Sequence, residues 1–241
     1  MQPTFLPWSG YFNLMTRVDD FVFLDDVQFA RRSWQCRNRI LLDGKPFMIS
    51  LRLQKGSRQR LILDVPLYED EGDDGWRESI AKTLKHTYSR HVFPGAIEPT
   101  LNALEDEDLT MLADFNIALI RSYIELLGLD VQLHRSSEME VEGHRSERLA
   151  QICRKLDCQH YVSPVGAREY IEEDGVFCLD GADNGKLTVS FQDYVPGPYP
   201  QKGAEEFVSH LAIVDVLANL GVDASREYVK LGHCQKAGIA Q

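Results

Sequence analysis

The stretch DDFVFLDDVQFARRSWQCRNRI, residues 19–40, leads from a buried strand into the first strand of a hairpin. Its apolar run at 21–24 ends at Asp25 and Asp26, which predicts a buried strand whose carboxyl end lies at the two acids. Residues 37–42 and 46–53 predict two further strands, and Asp43-Gly44 between them is a hairpin signal. We therefore expect a core strand followed by a hairpin near 37–53.

Outward from this stretch, periodic apolar residues predict helices that alternate with further strands. Leu112, Phe115 and Leu119 recur at helical spacing, and Gly128 ends a helix predicted over 109–127. The other predicted helices cover 76–88, 146–156 and 207–220, and the other predicted strands cover 60–65, 160–163, 176–179 and 187–191. This mixture predicts an α/β fold with a mixed or mostly parallel sheet and flanking helices.

The length and composition are those of a globular protein with one large core. The chain has 241 residues, 44% apolar and 26% charged, and we expect a single domain over 1–241. A subdivision, if present, would fall near 70–75, within the acidic segment EDEGDDG. We expect residues 222–241 to form a weakly ordered tail.

The sequence shows neither the pattern of a membrane-spanning segment nor that of a signal peptide. It has no run of 18 apolar residues, and its start has no basic region or cleavage pattern of a signal peptide. Its cysteines are odd in number and scattered, which is typical of reduced thiols. We therefore expect a cytoplasmic protein without membrane insertion. The cysteines are Cys36, Cys153, Cys158, Cys178 and Cys234.

Positive charge is concentrated in one segment of an acidic chain. The formal net charge is −11, which argues against general nucleic-acid binding. Residues 31–60 nevertheless carry nine basic residues and one acid, Asp43, so the rest of the chain carries −19. Guanidinium groups suit a small polyanion such as a nucleotide, a pyrophosphate or a carboxylate. The alternative is a solvated hairpin face that pairs with acidic loops.

Two adjoining segments carry the side chains that predict a site. The turn QPTFLPWSGYF, residues 2–12, is rigid and aromatic, which suits stacking of a base or sugar ring. The alternative is an N-terminal segment whose aromatic side chains are buried in the core. Adjacent carboxylates at a strand end suit Mg²⁺, and basic residues follow them closely. The alternative for the second segment is an Asp-capped turn with surface arginines. The candidate substrate-binding residues of the two segments and the basic region are Gln2, Trp8, Tyr11, Gln28, Arg31, Arg32, Arg37, Asn38, Arg39 and Lys55.

Three further candidates lie later in the chain. Ser163 and Gly166 belong to a predicted strand–turn–helix whose helix start offers N–H donors to an anion, although an ordinary connection explains the same pattern. Asn116 falls on the apolar side of its helix, so its amide either contacts a ligand or ties down a loop. No zinc spacing, GxSxG, Walker A or GxGxxG motif is present.

These segments, in this order, resemble the WbqC-like family. The resemblance rests on residues 2–12, 19–40, 61–67, 161–170 and 211–221, and covers nearly the whole chain. Two departures are Cys36, where the family pattern has Asn, and the start at Met1-Gln2, where the short strand that usually precedes the Gln-Pro motif is either truncated or missing. The resemblance implies a bacterial cytoplasmic protein of O-antigen or other surface-polysaccharide biosynthesis. It further implies transfer of a glycine-type aminoacyl or acyl group to an amino sugar on a nucleotide carrier, with Asp25 or Asp26 as general base.

Two other functions stay open from the sequence. The turn at 7–11 sits where HxGH-type nucleotidyltransferases and adenylating ligases carry their nucleotide motif, but Trp8 and Tyr11 replace the two histidines. An ATP-dependent ligase would then rely on Arg and Lys to stabilise phosphoryl charge. The third hypothesis is a non-catalytic scaffold of a polysaccharide pathway, which the lack of an evident nucleophile or metal set favours.

Overall fold

Seven short strands form three small sheets in this computed structural model, which describes residues 1–69, 75–179 and 187–233. β1 pairs with β4 in parallel, and β7 lies between β5 and β6 with all three parallel. β2 and β3 form the antiparallel hairpin. The predictions of an α/β fold, of mostly parallel pairing and of a hairpin near 37–53 are confirmed. In chain order the strands are β1 (Asp20–Phe23), β2 (Arg37–Leu42), β3 (Lys45–Ser50), β4 (Gln132–Arg135), β5 (His160–Ser163), β6 (Cys178–Leu179) and β7 (Thr188–Phe191).

Eight helices flank these strands in the described residues. The helices predicted over 76–88, 109–127 and 146–156 are confirmed to within three residues. Gly128, in the left-handed region at φ +62°, ends the second of them, as its lack of a side chain allows. The helices are α1 (Ser9–Met15), α2 (Trp76–Tyr88), α3 (Glu98–Glu105), α4 (Leu112–Leu127), α5 (Arg145–Lys155), α6 (Arg168–Asp174), α7 (Ile213–Leu220) and α8 (Val222–Leu231).

The buried apolar side chains form two clusters. The main cluster includes the apolar faces of α1 to α4, α7 and α8, together with Phe21 and Phe23 of β1. The second cluster is smaller and includes Leu149 of α5, Ile171 of α6 and Val189 of β7. Leu24, the residue after β1, packs against this second cluster, so the end of β1 lies where the two clusters meet.

Several local predictions were wrong. The strand predicted over 60–65 is a 3₁₀ turn at Ile62–Asp64, because Leu61 makes only one antiparallel bridge, to Gln28, before the chain turns inward. The helix predicted from 207 begins at Ile213. β4 and α3 were not predicted at all. The subdivision predicted near 70–75 falls largely on residues outside the described ranges.

The carboxyl-terminal segment is a helix rather than the weakly ordered tail that we expected from residue 222. α8 buries Tyr228 and Val229 in the main cluster. The Asn13 side chain of α1 donates to the carbonyl of Val229 at 2.9 Å and to that of Lys230 at 3.1 Å. These contacts anchor 222–231, while residues 234–241 lie outside the described ranges. Within those ranges, no helix has both the length and the apolarity needed to cross a bilayer.

Candidate functional site

The carboxyl ends of β1 and β4 bring acidic and hydroxyl side chains together. Because the two strands are parallel, the residues that follow them emerge at one edge: Asp25 and Asp26 after β1, Ser136 and Ser137 after β4. Asp25 is fully buried and accepts hydrogen bonds from Ser137 Oγ at 2.8 Å and from the Ser137 N–H at 3.1 Å. The predicted pair of acids is therefore held inside a defined network.

Arg135 neutralises the buried carboxylate of Asp25. Its Nε lies 2.7 Å from Asp25 Oδ2, and its Nη1 lies 2.7 Å from Asp114 in the first turn of α4. Burial by itself raises the pKa of Asp25, but hydrogen bonds from Ser137 and Arg135 outweigh it and hold that pKa below its usual value. Asp25 is thus an ionised, fully engaged carboxylate that fixes the ends of β1 and β4.

Asp26 has a different set of partners and reaches the second cluster. Its Oδ1 accepts from Ser136 Oγ at 2.5 Å, and its Oδ2 lies 2.5 Å from Nη2 of Arg148 on α5. The Asp26 side chain is 18% exposed, whereas that of Asp25 is 0% exposed. Of the two predicted acids, Asp26 is the one that solvent and a substrate can reach.

The two carboxylates do not fit a Mg²⁺ site. Each already faces a guanidinium group, so a cation would have to displace Arg135 or Arg148 to gain a charged oxygen ligand. In the described ranges, no group of three or more His, Cys, Asp or Glu side chains is arranged to hold a metal ion.

The aromatic turn at the start of the chain is held by amide side chains. Gln35, which is almost fully buried, donates from Nε2 to Gln2 Oε1 at 2.8 Å, and Tyr11 Oη donates to the Gln2 carbonyl at 3.0 Å. Asn116 donates to the carbonyls of Gln35 at 2.7 Å and Pro3 at 3.3 Å. These bonds leave Asn116 Oδ1 buried without a hydrogen-bond partner among the described residues.

Asn38 supports the same turn from the hairpin. Its Nδ2 donates to the carbonyls of Leu6 at 2.7 Å and Phe5 at 3.2 Å. Asn38 faces the core because it alternates with Arg37 and Arg39 along β2. Of the predicted binding residues, Asn38, Asn116 and Tyr11 thus hold the turn that carries Gln2 and Trp8.

Arg37 and Arg39 project from the opposite face of β2, and Arg39 lies near aromatic rings. The Arg39 guanidinium lies 5.9 Å from the centroid of Trp34 and contacts the carbonyl of His210 at 3.4 Å. The His210 ring stacks at 4.6 Å on Trp8. Residues Arg37, Arg39, Trp34, His210 and Trp8 are called the arginine–aromatic strip below.

The strip contains buried guanidinium atoms that lack partners. Nε of Arg37 and Nε of Arg39 are inaccessible to solvent and make no hydrogen bond to the described residues. A buried N–H group without a partner is costly, and it is satisfied when an anion or another acceptor reaches it. The strip therefore combines flat aromatic surface with two cations that have unused hydrogen-bonding capacity.

Gly10 allows the Trp8 ring to take its place in the strip. A Cβ atom on Gly10 would lie 2.2 Å from the Trp8 ring, closer than any real contact. The indole therefore lies directly on the Gly10 backbone, at the start of α1.

The remaining predicted residues lie apart from both groups. Gln28, Arg31, Arg32 and Lys55 are exposed, and none of their side chains has a contact within the described ranges that joins it to the acids or to the strip. Ser163 is buried and donates to the carbonyl of Pro164 at 3.2 Å. Gly166 is exposed, and a Cβ there would meet nothing within 4 Å, so the turn does not require glycine for space.

Several members of the site were missed by sequence reasoning. Arg135 and Ser136 follow β4, a strand with one apolar residue in four and hence no strand signal. Arg148 reaches Asp26 from 122 residues away, and Gln35 lies inside the segment where only its charged neighbours were considered. No sequence spacing links His210 to Trp8, because the two rings meet only in the folded chain. Gln35 alone carried a local signal, an uncharged amide beside the aromatic Trp34.

A cavity of about 500 Å³ lies elsewhere, between β1 and α5–β5. Its walls include the apolar residues Leu14, Phe21, Val22, Ile152 and Val162, and also polar residues such as Arg17, Asp20 and His160. Neither Asp26 nor any residue of the strip lines it, so its volume does not belong to the candidate site.

Comparison with known proteins identifies relatives of the whole chain. The sequence model of the WbqC-like protein family matches residues 2–227. An uncharacterised protein of Mycobacterium tuberculosis, Rv1507c, is 30% identical over 226 residues, which cover 93% of this chain and 94% of that protein. No solved structure matches the chain. With its aromatic turn, paired acids and arginine-bearing hairpin all inside the matched residues, the chain belongs to the WbqC-like protein family.

Proposed function

We propose that the protein transfers an aminoacyl or acyl group, of the glycine type, to an amino sugar carried on a nucleotide diphosphate. The resemblance of the aromatic turn and the paired acids to the WbqC-like family supports a place in O-antigen or other surface-polysaccharide biosynthesis. The observation that carries the proposal is that Arg37 and Arg39, two partly exposed cations on one face of β2, form no ion pair with an acid among the described residues.

The arginine–aromatic strip is the proposed nucleotide site. A diphosphate presents several anionic oxygens, which match the paired N–H groups of two guanidinium side chains. Neither Arg37 nor Arg39 forms an ion pair with an acid in the described ranges, so the two cations are available to the ligand. Trp34 is 50% exposed and offers a surface on which a base or sugar ring can stack.

Asp26 is the proposed general base. In the reaction the amine of the sugar attacks the acyl carbon, a C–N bond forms, and the nitrogen gives up a proton as the leaving group departs. Asp26 accepts that proton, because it is the more exposed of the two acids, with a side chain 18% exposed against 0% for Asp25. Asp25 is a positioning residue, because its ion pair with Arg135 holds the carboxyl ends of β1 and β4 together.

Ligand-dependent thermal stability tests the proposal. Wild-type protein is measured with UDP- and dTDP-linked amino sugars, acyl-CoA and ATP, each with and without Mg²⁺. A ligand at a hundred times its dissociation constant stabilises the fold by about 2.7 kcal/mol, a readily measured rise in Tm. We expect a rise with a nucleotide sugar that is lost in Arg37→Ala and kept in Arg121→Ala, an exposed arginine on α4.

Other outcomes would identify the alternatives. A rise with ATP alone would favour the adenylating ligase or nucleotidyltransferase. A protein that no ligand of the panel stabilises would favour the non-catalytic scaffold and overturn the proposal. If the rise in Tm with a nucleotide sugar persists in Arg37→Ala, the nucleotide sugar binds outside the strip.

A further inference from the structure

A basic surface separate from the arginine–aromatic strip lies on one side of the molecule. It is defined by the exposed side chains Arg31, Arg32, Lys55, Arg58 and Arg60. The two halves of this set are neighbours in space, because the N–H of Phe29 donates to the carbonyl of Arg60 at 2.9 Å and Gln28 forms an antiparallel bridge with Leu61. The segments that carry them therefore run side by side.

The five cations of this basic surface are not neutralised by the described residues. No salt bridge within 1–69, 75–179 and 187–233 joins any of them to an acid. The exposed Asp64 is close by, because its carbonyl accepts a hydrogen bond from Arg60 Nη1 at 3.1 Å, but the five cations outnumber this acid. A partner that approaches this side of the molecule meets a local excess of positive charge.

Large apolar side chains are exposed at the border of the basic surface. Leu61 is 39% exposed beside Arg60, and Trp34 is 50% exposed two residues after Arg32. Met48 is 40% exposed and lies opposite Arg39 in the hairpin register, next to Trp34. The side chains of Leu61 and Met48 have no N–H or O–H group to donate to a phosphate or a base. Apolar side chains of this kind do enter the interfacial zone of a bilayer readily.

We propose that this surface docks the protein on a bilayer that contains anionic lipids. The five basic side chains would contact lipid phosphates, while Leu61 and Met48 would sit at the level of the headgroups. Such docking needs no membrane-spanning helix. It is separate from the proposed transferase activity, since none of the five cations belongs to the arginine–aromatic strip or pairs with Asp25 or Asp26.

Vesicle co-sedimentation of the full chain tests the proposal. The vesicles contain either phosphatidylcholine alone or phosphatidylcholine with phosphatidylglycerol, at low and at high salt. We expect binding only to the anionic vesicles and a marked loss at high salt. The double variant Lys55→Glu, Arg58→Glu should partition at least ~10-fold more weakly. Leu61→Ser with Met48→Ser should weaken binding without removing its salt dependence.

Matched controls keep the result interpretable. Lys85→Glu with Arg121→Glu changes the net charge equally on α2 and α4 and should leave vesicle binding unchanged. If the first double variant fails to fold, Lys55→Gln with Arg58→Gln replaces it. Equal binding to neutral vesicles, or equal loss in both charge variants, would overturn the proposal. Binding to a DNA oligonucleotide but not to anionic vesicles would also overturn it, in favour of a nucleic-acid partner.

Discussion

Oδ2 of Asp26 lies 2.5 Å from Nη2 of Arg148, and this ion pair joins the end of β1 to helix α5. Both side chains are more than four-fifths buried. The ion pair therefore links β1, whose phenylalanines belong to the main cluster, to α5, which belongs to the second cluster. It holds the proposed general base, Asp26, against α5.

Substitution of Arg148 should lower the free energy of unfolding, because the link between the two clusters is lost. Arg148→Met leaves the Asp26 carboxylate with only Ser136 as a partner, and a largely buried charge without its counter-ion destabilises the fold by about 2 kcal/mol. Urea unfolding measures the change. Arg154→Met, an exposed position on the same helix, is the control, and an equal effect of both substitutions would contradict this role for the ion pair.

Asp25 should make the protein sensitive to acid. Its pKa is lower in the folded chain than in the unfolded one, so its stabilising contribution is complete above about pH 4, the unfolded pKa. The contribution is lost as the pH falls from there through the lower folded pKa. Asp25→Asn should reduce the free energy of unfolding by about 2 kcal/mol at pH 7, because the donors of Ser137 and Arg135 lose a charged acceptor while Arg135 keeps only Asp114 as an ion-pair partner.

Urea titrations between pH 2 and 7 check the sign for Asp25. The variant should lose less stability than the wild type below pH 4. A wild type and an Asp25→Asn variant with parallel pH profiles would show that the carboxylate is not linked to folding.

Asp215 should have the opposite pH dependence. Burial raises its pKa to about 6, despite hydrogen bonds from Tyr199 at 2.8 Å and Tyr88 at 3.0 Å. A raised folded pKa means that ionisation opposes folding, so the destabilisation is full above about pH 6 and fades as the pH falls toward 4. The rise of about 2 units corresponds to about 3 kcal/mol.

Asp215→Asn should therefore flatten the stability profile between pH 4 and 7. Guanidinium chloride unfolding at several pH values measures this, with Asp130→Asn, an exposed acid, as the control. Persistence of the full slope in Asp215→Asn would assign that slope to another group.

Gly10→Ala should disturb Trp8 specifically. The new methyl group would collide with the indole, so the ring must leave its stack on His210, at a cost of about 1–3 kcal/mol. The near-ultraviolet circular dichroism of the tryptophans should change, and nucleotide-sugar binding should weaken. Gly166→Ala is the matched control, because its Cβ meets nothing within 4 Å. An unchanged spectrum in Gly10→Ala would show that Trp8 is not held there.

The parts of the fold that were predicted correctly have a local signal. β1 shows as an apolar run that stops at two acids, the hairpin as alternation around Asp43-Gly44, and α4 as a stripe ended by Gly128. β4 has no such signal, since Gln132–Arg135 holds one apolar residue and is a strand only because β1 pairs with it.

The candidate site was predictable only in part, for the same reason. Asp25, Asp26, Arg37 and Arg39 are close in sequence and could be grouped from it. Their partners Arg135 and Arg148 are more than a hundred residues away, and no spacing rule joins them. Even Asp215, four residues from Asn219 and typical of a solvated helix face, is fully buried between two tyrosines.

The bond from Asn13 to Val229 has a consequence for biosynthesis. It joins residues 216 positions apart, so α1 meets its partner helix only after the residues between them have left the ribosome. Until then the apolar face of α1 that α8 covers has nothing to pack on, and the nascent protein exposes it to chaperones. The contact between α1 and α8 therefore has to wait for the synthesis of residues 222–231.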